Sequence, residues 1–275
     1  VVITDEKLCD GYDGDCDGSK DDPWRVAAGV GKPVLDATCS PDPSKKGACA
    51  PVGKYACDSK TKASLVCTQT APGKAPYREL CNGVDDDCDG QIDEEADDNG
   101  YKGVDDDMVR IQGTVAGKYH DFYIYTYEAS RPDANLVKVG TSSARACSHF
   151  GVLPWSKATY KQAAQACKMA GKRLCTASEW QLACAGKAGK TFPYGPYYEK
   201  KTCNGMDLGL GKAAPSGALT SCVGGFTGLF DMSGNLREWT SQKVGTTGGA
   251  SPKNIYVVRG GAYHTPGPGL TCAFT

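Results

Sequence analysis

The sequence predicts an α+β protein in which a larger domain follows small, disulfide-rich modules. Three observations support this. Fifteen cysteines lie among 35 glycines and 15 prolines, which is typical of short elements and loops held by disulfides. An acidic motif with alternating aspartates occurs twice before residue 96. After about residue 105, short β-type runs alternate with two helical patterns.

Composition excludes some functional classes. The net charge of −1 gives no global field that would attract nucleic acid or an anionic membrane. No apolar run approaches the ~18 residues that a membrane helix requires. The chain starts with VVITDEKLCD, without an initiator Met or a signal peptide, as we expect of a processed chain or of a segment excised from a longer one. The cysteine content predicts an oxidising compartment, and therefore an extracellular or cell-surface location.

The stretch CNGVDDDCDGQIDEE, residues 81–95, has the spacing of a calcium-binding loop. Its ligand positions 1, 3, 5, 7 and 9 are held by Asp85, Asp87, Asp89, Gln91 and Asp93. Gly90 permits the sharp turn at position 6. Position 12 is Ala96 rather than the usual glutamate, with Glu94 or Glu95 close enough to substitute. No helical pattern precedes the loop, so we predict a calcium site outside an EF-hand.

The stretch CDGYDGDCDGSKDD, residues 9–22, repeats the same motif. Its matching ligand positions are held by Asp13, Asp15, Asp17, Ser19 and Asp21. Because each repeat has the spacing C-x6-C, we predict local Cys9–Cys16 and Cys81–Cys88 disulfides. Two alternatives stay open: a zinc site that combines thiolates with carboxylates, and a solvated acidic linker. Hard oxygen ligands outnumber sulfur, which favours calcium.

The two copies resemble the MopE-type metal-binding repeat, C-[DN]-G-x-D-[DN]-D-C-D-G-x-x-D-E, which is common in secreted surface proteins of myxobacteria and related bacteria. We assign the first copy to a module at 1–32. A second module at 33–104 combines a cysteine-rich segment, the second copy and an acidic linker. Four cysteines of this segment are expected to pair among themselves, in one of three connectivities: Cys39, Cys49, Cys57 and Cys67.

The remaining residues, 105–275, show regular secondary-structure patterns. The run FYIYTYE, residues 122–128, alternates as a strand does. The run ATYKQAAQACKMAGKR, residues 158–173, has helical periodicity and ends near Gly171. A capping box formed by Thr176 and Glu179 starts a second short helix. Glycine-rich loops with short strands follow, up to IYVVRGGAY.

Four motifs in this region occur in a familiar order: AGKRLCTASEWQLACAG, FPYG, GLFDMSGNLREWT and VVRGGAY. They resemble those of the formylglycine-generating enzyme (sulfatase-modifying factor) family, which implies a C-type-lectin-like fold. The resemblance also implies a calcium site in DMSGNLRE, with ligands from the side chains of Asp231 and Glu238 and the carbonyls of Gly234 and Leu236. Hard oxygens from one tight turn suit calcium.

Other residues of these motifs have structural interpretations. We expect Trp180 and Trp239 to anchor the core. Four charged residues are expected in buried ion pairs and hydrogen bonds: Arg173, Glu179, Glu238 and Arg259.

We expect Cys203 and Cys222 to close the glycine-rich loop that they bracket. The resemblance implies a Cys184–Cys272 disulfide. It also matches Cys167 with a cysteine bonded to a final G-F-R-C strand, and the chain ends at Thr275 before such a strand. We therefore expect an incomplete chain, an unpaired Cys167, and a Cys147–Cys175 bond.

The catalytic residues of the resembled family are missing. Formylglycine-generating enzymes hold Cu(I) with two cysteines just after RGGS, whereas no cysteine occurs here from Ala262 to Thr271. Related iron sulfoxide synthases need an H-x3-H-x-E cluster, and the histidines are scattered at His120, His149 and His264. We therefore predict that the chain is not an enzyme.

The predicted function is a secreted or cell-surface, calcium-stabilised structural or binding protein with a catalytically inactive domain. Its expected partner is a protein or glycan at the cell surface, or a second copy of itself, and not nucleic acid. Two alternatives are an oxidase related to formylglycine-generating enzyme and a surface copper-binding protein. The latter is considered because the founding MopE-type protein is associated with copper.

Overall fold

The structure is a computed structural model that describes residues 8–13, 19–25, 33–77, 79–93, 106–249 and 251–274. These residues belong to two compact units. The first contains the described residues up to Glu79 and Val84–Ile92, and the second contains Leu80–Gly83, Asp93 and the chain from residue 106 onwards. The predicted module boundaries within 1–104 stay a prediction.

The first unit is built on a small antiparallel sheet. Its elements are α1 (Asp22–Arg25), β1 (Thr38–Cys39), β2 (Val52–Cys57) and β3 (Leu65–Ala71), with the strand order β1-β2-β3. Tyr55 pairs with Cys67, and a register shift between Val52 and Gly53 bends β2. A 3-10 turn, Gly47–Cys49, precedes β2. Because these short elements bury only a small core, disulfides must contribute to the stability of this unit.

Three disulfides hold this unit: Cys9–Cys57, Cys39–Cys67 and Cys49–Cys88. The predicted local rings Cys9–Cys16 and Cys81–Cys88 are therefore wrong, and so is the closed pairing of the four middle cysteines. In the second repeat, Cys88 bonds Cys49 of the 3-10 turn, and Cys81 bonds Cys147. Equal spacing in sequence cannot distinguish a local partner from a distant one.

The second unit contains two two-stranded antiparallel sheets and two helices. Its elements are β4 (Met108–Val115), β5 (Lys118–Tyr125), α2 (Tyr160–Met169), α3 (Ala177–Ala185), β6 (Glu238–Thr246) and β7 (Asn254–Arg259). Ala116 and Gly117 connect β4 to β5, with φ of 48° and 77°. Two consecutive left-handed residues suit the twist of a tight hairpin. The predicted strand at 122–128 is thus the second half of β5, which ends three residues earlier than expected.

The two helices begin as the sequence predicts. Thr176 and Glu179 form the capping box of α3, and Thr159 and Gln162 form one on α2. Gly171 follows the end of α2 with a φ of 64°, as a terminating glycine should. These caps satisfy amides that would otherwise lack partners at the start of each helix.

The core of this unit lies between α3 and the β4–β5 hairpin. Trp180 and Leu182 of α3 pack with Ile111, Ile124 and Leu229. Trp180 is a core anchor as predicted, while Trp239 is partly buried and donates its indole N–H to the Ala158 carbonyl. The architecture of the described residues is α+β, with short elements and much irregular chain.

The predicted polar contacts are present for three residues, although the Arg173 side chain is 62% exposed rather than buried. Arg173 forms two hydrogen bonds of 2.8 Å with Glu179, and Arg259 donates to carbonyl groups of Cys272 and Ala273. For Glu238 only the predicted ion pair is absent, because no basic side chain among the described residues pairs with it. A hydrogen bond with Trp180 favours its ionised form.

Disulfides also cross-link the second unit. Cys203–Cys222 and Cys184–Cys272 are confirmed. Cys147 bonds Cys81 instead of Cys175, so that prediction is wrong. Cys167 is free as expected, and Cys175 is free as well. Every helix in the described ranges is too short or too polar to cross a bilayer.

Candidate metal centres

The first acidic repeat is described in part. Asp13, Ser19 and Asp21 lie within the described residues, whereas Asp15, Asp17 and Cys16 lie outside them. The Asp21 carboxylate accepts hydrogen bonds from the backbone amides of Asp10, at 2.8 Å, and Gly11, at 3.1 Å. Asp21 therefore holds together the start and the end of its repeat.

In the second repeat, aspartate side chains turn inward over the backbone. Asp85 accepts from the amides of Cys88, at 2.6 Å, and Gly90, at 3.1 Å. Asp87 accepts from the Asp89 amide at 3.1 Å. Asp89 accepts from the amide of Gln91 at 2.7 Å. These bonds curl residues 85–91 into a compact loop whose carboxylates point to its interior.

Three carboxylates meet in this loop. The side-chain oxygens of Glu79, Asp85 and Asp87 lie within 4.8 Å of one another. All three residues are buried, at 2%, 5% and 2% exposure. Converging carboxylate oxygens are the donor type that a hard cation such as Ca²⁺ takes. The structure therefore brings together two of the predicted ligands, with Glu79 added to them.

Glu79 was missed from the sequence for a simple reason. It precedes the first cysteine of the repeat by two residues, and the first repeat has Lys7 at that position. Comparison of the two copies therefore gave no signal. The Glu79 carboxylate accepts from the amides of Asp86, at 2.7 Å, and Asp87, at 2.9 Å, which fixes its place beside the loop.

A close backbone approach anchors this loop to the 3-10 turn. Gly47 has a φ of 51°, and a Cβ built on it would lie 2.0 Å from the Asp85 carbonyl oxygen. The amide of Ala48 donates to that same carbonyl at 2.8 Å. The Cys49–Cys88 disulfide joins the same two segments. Because Cys81 and Cys88 are both in disulfides, neither supplies a thiolate, which contradicts the zinc alternative at this loop.

The last predicted ligand of the repeat, Asp93, lies in the second unit. Its carboxylate accepts from the amides of Asn82, at 2.9 Å, and Gly83, at 3.0 Å. Its carbonyl accepts from the guanidinium of Arg145 at 2.7 Å.

A second candidate centre is the turn from Asp231 to Glu238, which runs into β6. Three of its residues have left-handed backbones: Asp231, Gly234 and Asn235, with φ of 56°, 80° and 54°. A Cβ on Gly234 would lie 2.4 Å from the Asn204 carbonyl oxygen, so this position requires glycine. Glycine adopts this conformation without strain, and Asp and Asn tolerate it better than most residues, so the sequence suits a tight, irregular turn.

The backbone carbonyl groups of this turn differ in whether they accept a hydrogen bond. The Asn235 carbonyl accepts from the Tyr263 amide at 3.0 Å. The carbonyls on either side, of Gly234 and Leu236, accept no hydrogen bond from the described residues. These two oxygens are the ones predicted to bind calcium. Gly234 is buried and Leu236 half-buried, and carbonyl oxygens of this kind are donors that a hard cation could use.

Three acidic side chains surround this turn without a basic partner among the described residues. Burial raises the pKa of Glu238 to about 7, with Asp231 raising it further. Burial also raises the pKa of Asp231 to about 6. The pKa of Glu128 lies well above its ordinary value because of burial and the charges of Asp231 and Glu238. A divalent cation would offset both the burial of these carboxylates and the repulsion that Asp231 exerts on Glu128 and Glu238.

Glu128 was not predicted as part of this centre. It accepts from the Leu236 amide at 2.8 Å and from the side-chain amide of Asn235. The three carboxylates do not all lie within 4.8 Å of one another. Both carboxylate oxygens of Glu128 are engaged by hydrogen bonds from the turn, so Glu128 positions it, and Asp231 and Glu238 stay the candidate ligands. Its sequence signal was weak, since it lies over 100 positions earlier at the end of a strand-like run.

Comparison with known protein families assigns most of the chain. The family model of the sulfatase-modifying factor enzyme 1-like domain matches residues 92–275, well over half of the sequence. The chain belongs to this family. The match includes the β4–β5 hairpin, both longer helices and the turn around Asp231. No curated protein sequence matches the chain.

In this sulfatase-modifying factor-like domain, the two free thiols line a cavity of about 400 Å³ beside Trp180 and Glu238. Burial raises the pKa of Cys167 to about 11 and that of Cys175 to about 12. Both thiols are consequently protonated at neutral pH and poor nucleophiles. Cys272 is bound to Cys184 and has no free thiol.

Proposed function

We propose that this chain is a secreted or cell-surface structural or binding protein that calcium stabilises, and that its sulfatase-modifying factor-like domain is catalytically inactive. The observation that carries the proposal is the turn from Asp231 to Glu238. There, two carbonyls that accept no hydrogen bond from the described residues occur together with the buried carboxylate of Asp231 and the half-buried carboxylate of Glu238, and neither acid has a basic partner in that part of the chain.

The donor set suits calcium among the common metals. Carboxylate and carbonyl oxygens are the ligands of hard cations, and an irregular turn fits the flexible coordination of Ca²⁺ better than the strict octahedron of Mg²⁺. Asp231, Glu238 and the carbonyls of Gly234 and Leu236 would hold the ion. Calcium would neutralise the buried charge and join both ends of the turn.

The acidic repeats would bind further calcium ions. In the second repeat, the cluster of Glu79, Asp85 and Asp87 supports a site close to the one predicted from the MopE-type spacing. Asp89, Gln91 and Asp93 belong to the ligand set that this spacing predicts. The first repeat would use Asp13, Asp15, Asp17, Ser19 and Asp21 in the same way.

The proposed location rests on the disulfides. Six are present among the described residues, three in each unit. Such bonds persist in oxidising compartments and compensate for small cores. A C-type-lectin-like arrangement of the second unit agrees with its short strands and long irregular segments. It is the fold that we propose for this family member.

The proposed lack of catalysis rests on the chemistry of the cysteines. The segment from Ala262 to Thr271 has no cysteine where the resembled enzymes hold copper. Elsewhere in the described residues, the free thiols are those of Cys167 and Cys175, and their raised pKa values disfavour thiolate chemistry.

One preparation tests both parts of the proposal. Elemental analysis of the purified chain should find calcium, and oxygen uptake with added copper and a thiol peptide should equal the protein-free rate. Copper-dependent oxygen consumption would favour the oxidase alternative, and stoichiometric copper without turnover would favour the copper-binding one. Either result would overturn the proposal.

A further inference from the structure

A groove in the second unit collects cationic and aromatic side chains. Its volume is about 390 Å³, and none of the residues lining it is Asp or Glu. The side chains that define it are Lys157, Lys212, Arg237, Trp155, Trp239 and Tyr263. All belong to the described part of the chain. A volume of this size is in the range of small-ligand sites.

The three cations have no partner within the described residues. Lys157, Lys212 and Arg237 are exposed, and none takes part in an ion pair. Most surface cations are solvated singly and carry no function. Here three of them line one groove without a compensating acid, which leaves it electropositive and complementary to an anion.

Their backbones are held in place. Lys157 has a left-handed φ of 60°, which is uncommon for a residue with a long side chain. The Lys212 carbonyl accepts from the side-chain amide of Asn204 at 3.0 Å. Arg237 follows Leu236, whose amide Glu128 binds at 2.8 Å. The cations thus extend from fixed positions, which reduces the entropy that binding costs.

The aromatic walls are also held. The Arg131 guanidinium, which does not line the groove, lies 3.8 Å from the Trp155 ring centroid. The indole of Trp239 donates to the Ala158 carbonyl at 2.9 Å and meets the ring of Tyr160 edge to face. The amide of Tyr263 donates to the Asn235 carbonyl at 3.0 Å. Flat rings in fixed positions offer surfaces for stacking.

We propose that this groove binds an acidic saccharide through its carboxylate or sulfate groups. The inference rests on the proposed function as a binding protein and names its ligand class. Aromatic rings pack against the apolar C–H face of a pyranose, and Arg and Lys donate charge-assisted hydrogen bonds to the anionic groups. No calcium ion is needed in this groove.

An acidic peptide is the competing ligand, and the walls disfavour it. Peptides in grooves bind largely through backbone hydrogen bonds. Several backbone groups along this groove are already bonded within the protein: the carbonyls of Ala158 and Lys212 and the amides of Leu236 and Tyr263. Ligand recognition in this groove would therefore depend on side chains rather than on backbone groups.

Calorimetric titration at physiological ionic strength and in excess calcium tests the proposal. The probes are a galacturonic acid tetrasaccharide, a heparin-derived tetrasaccharide, maltotetraose and hexaglutamate. We expect at least one of the two acidic saccharides to bind. Comparing the galacturonic acid tetrasaccharide with the heparin-derived one separates recognition of carboxylate groups from recognition of sulfate groups. Arg237→Gln and Lys212→Gln should each weaken binding by about tenfold. The matched control Lys118→Gln, an exposed lysine outside the groove, should change it by less than about twofold.

Four results would overturn the proposal: no binding of either acidic saccharide, equal binding of maltotetraose, tighter binding of hexaglutamate, or equal loss with Lys118→Gln. Thermal unfolding with and without calcium, measured on the same samples, shows that each variant is folded. It also separates calcium stabilisation from saccharide binding. A calcium-dependent rise in Tm without saccharide binding would refute only the proposal that the groove binds a saccharide.

Discussion

Asp21 and Asp93 adopt the same conformation and perform the same task in two copies of one motif. Each has a φ of 52° and is 4% exposed. Each accepts hydrogen bonds from the two amides that follow the first cysteine of its repeat. The last aspartate of the repeat is therefore a backbone clamp, which leaves fewer lone pairs for a cation than the spacing suggested.

Replacing Asp93 by Ala should destabilise the protein, because the amides of Asn82 and Gly83 would be left without their acceptor. We expect a loss of about 2 kcal/mol in the free energy of unfolding. Urea unfolding measures it. Asp93→Asn, which keeps one acceptor oxygen, should lose less, and equal losses for the two variants would contradict the clamp.

Disulfide mapping should recover Cys49–Cys88 and Cys81–Cys147 from non-reduced peptides. Removing the latter with Cys81→Ala and Cys147→Ala together should cost about 4 kcal/mol, since it closes a loop with a sequence separation of 66. A peptide linking Cys81 to Cys88 would contradict the connectivity of both units.

The elements of the second unit could be predicted because their signals are local. The capping boxes at Thr159 and Thr176 and the terminating Gly171 depend on neighbours within one turn. The disulfides of the acidic repeats could not be predicted, because spacing says nothing about a partner such as Cys147, 66 positions away from Cys81.

The residues of the candidate metal centres also divide into those predicted from a local motif and those brought there by folding. The turn at Asp231 has all its proposed ligands within eight residues, so a sequence motif was enough to suggest it. Glu79 and Glu128 were missed because folding, and not spacing, brings them to the two centres. The Glu128 carboxylate meets the Leu236 amide across 108 positions.

Calcium stabilisation should increase with pH. Without a cation, the raised pKa values of Asp231 and Glu238, about 6 and 7 against ordinary values of 3.8 and 4.5, mean that the folded state keeps protons that the unfolded chain releases. The stability of the calcium-free protein therefore falls as pH rises from about 4 through 7. In the proposed site, calcium would bind the ionised carboxylates and remove this penalty.

The rise in Tm on adding calcium to chelator-treated protein should thus be larger at pH 8 than at pH 5. Glu238→Gln should reduce the difference between the two pH values. An equal rise at both pH values in the unmodified protein would show that these carboxylates do not bind the ion.

The free thiols should react slowly in the folded protein. With pKa values of about 11 and 12, Cys167 and Cys175 hold far less thiolate at pH 8 than an exposed cysteine. Alkylation by iodoacetamide, followed by peptide mass spectrometry, should be on the order of 100-fold slower for Cys167 in the native than in the unfolded chain. Comparable rates would mean that the cavity is open and its thiols are activated.

Calcium titration of the Asp231→Asn and Glu238→Gln variants, followed by thermal unfolding, tests the central claim most directly. Asp207→Asn is the matched control, an acid of the same unit outside the turn. We predict that calcium raises the Tm of the unmodified protein and of the control by several degrees. In both turn variants, the unfolding transition of the second unit should lose most of this rise in Tm. An unchanged calcium response in the two turn variants would contradict the account.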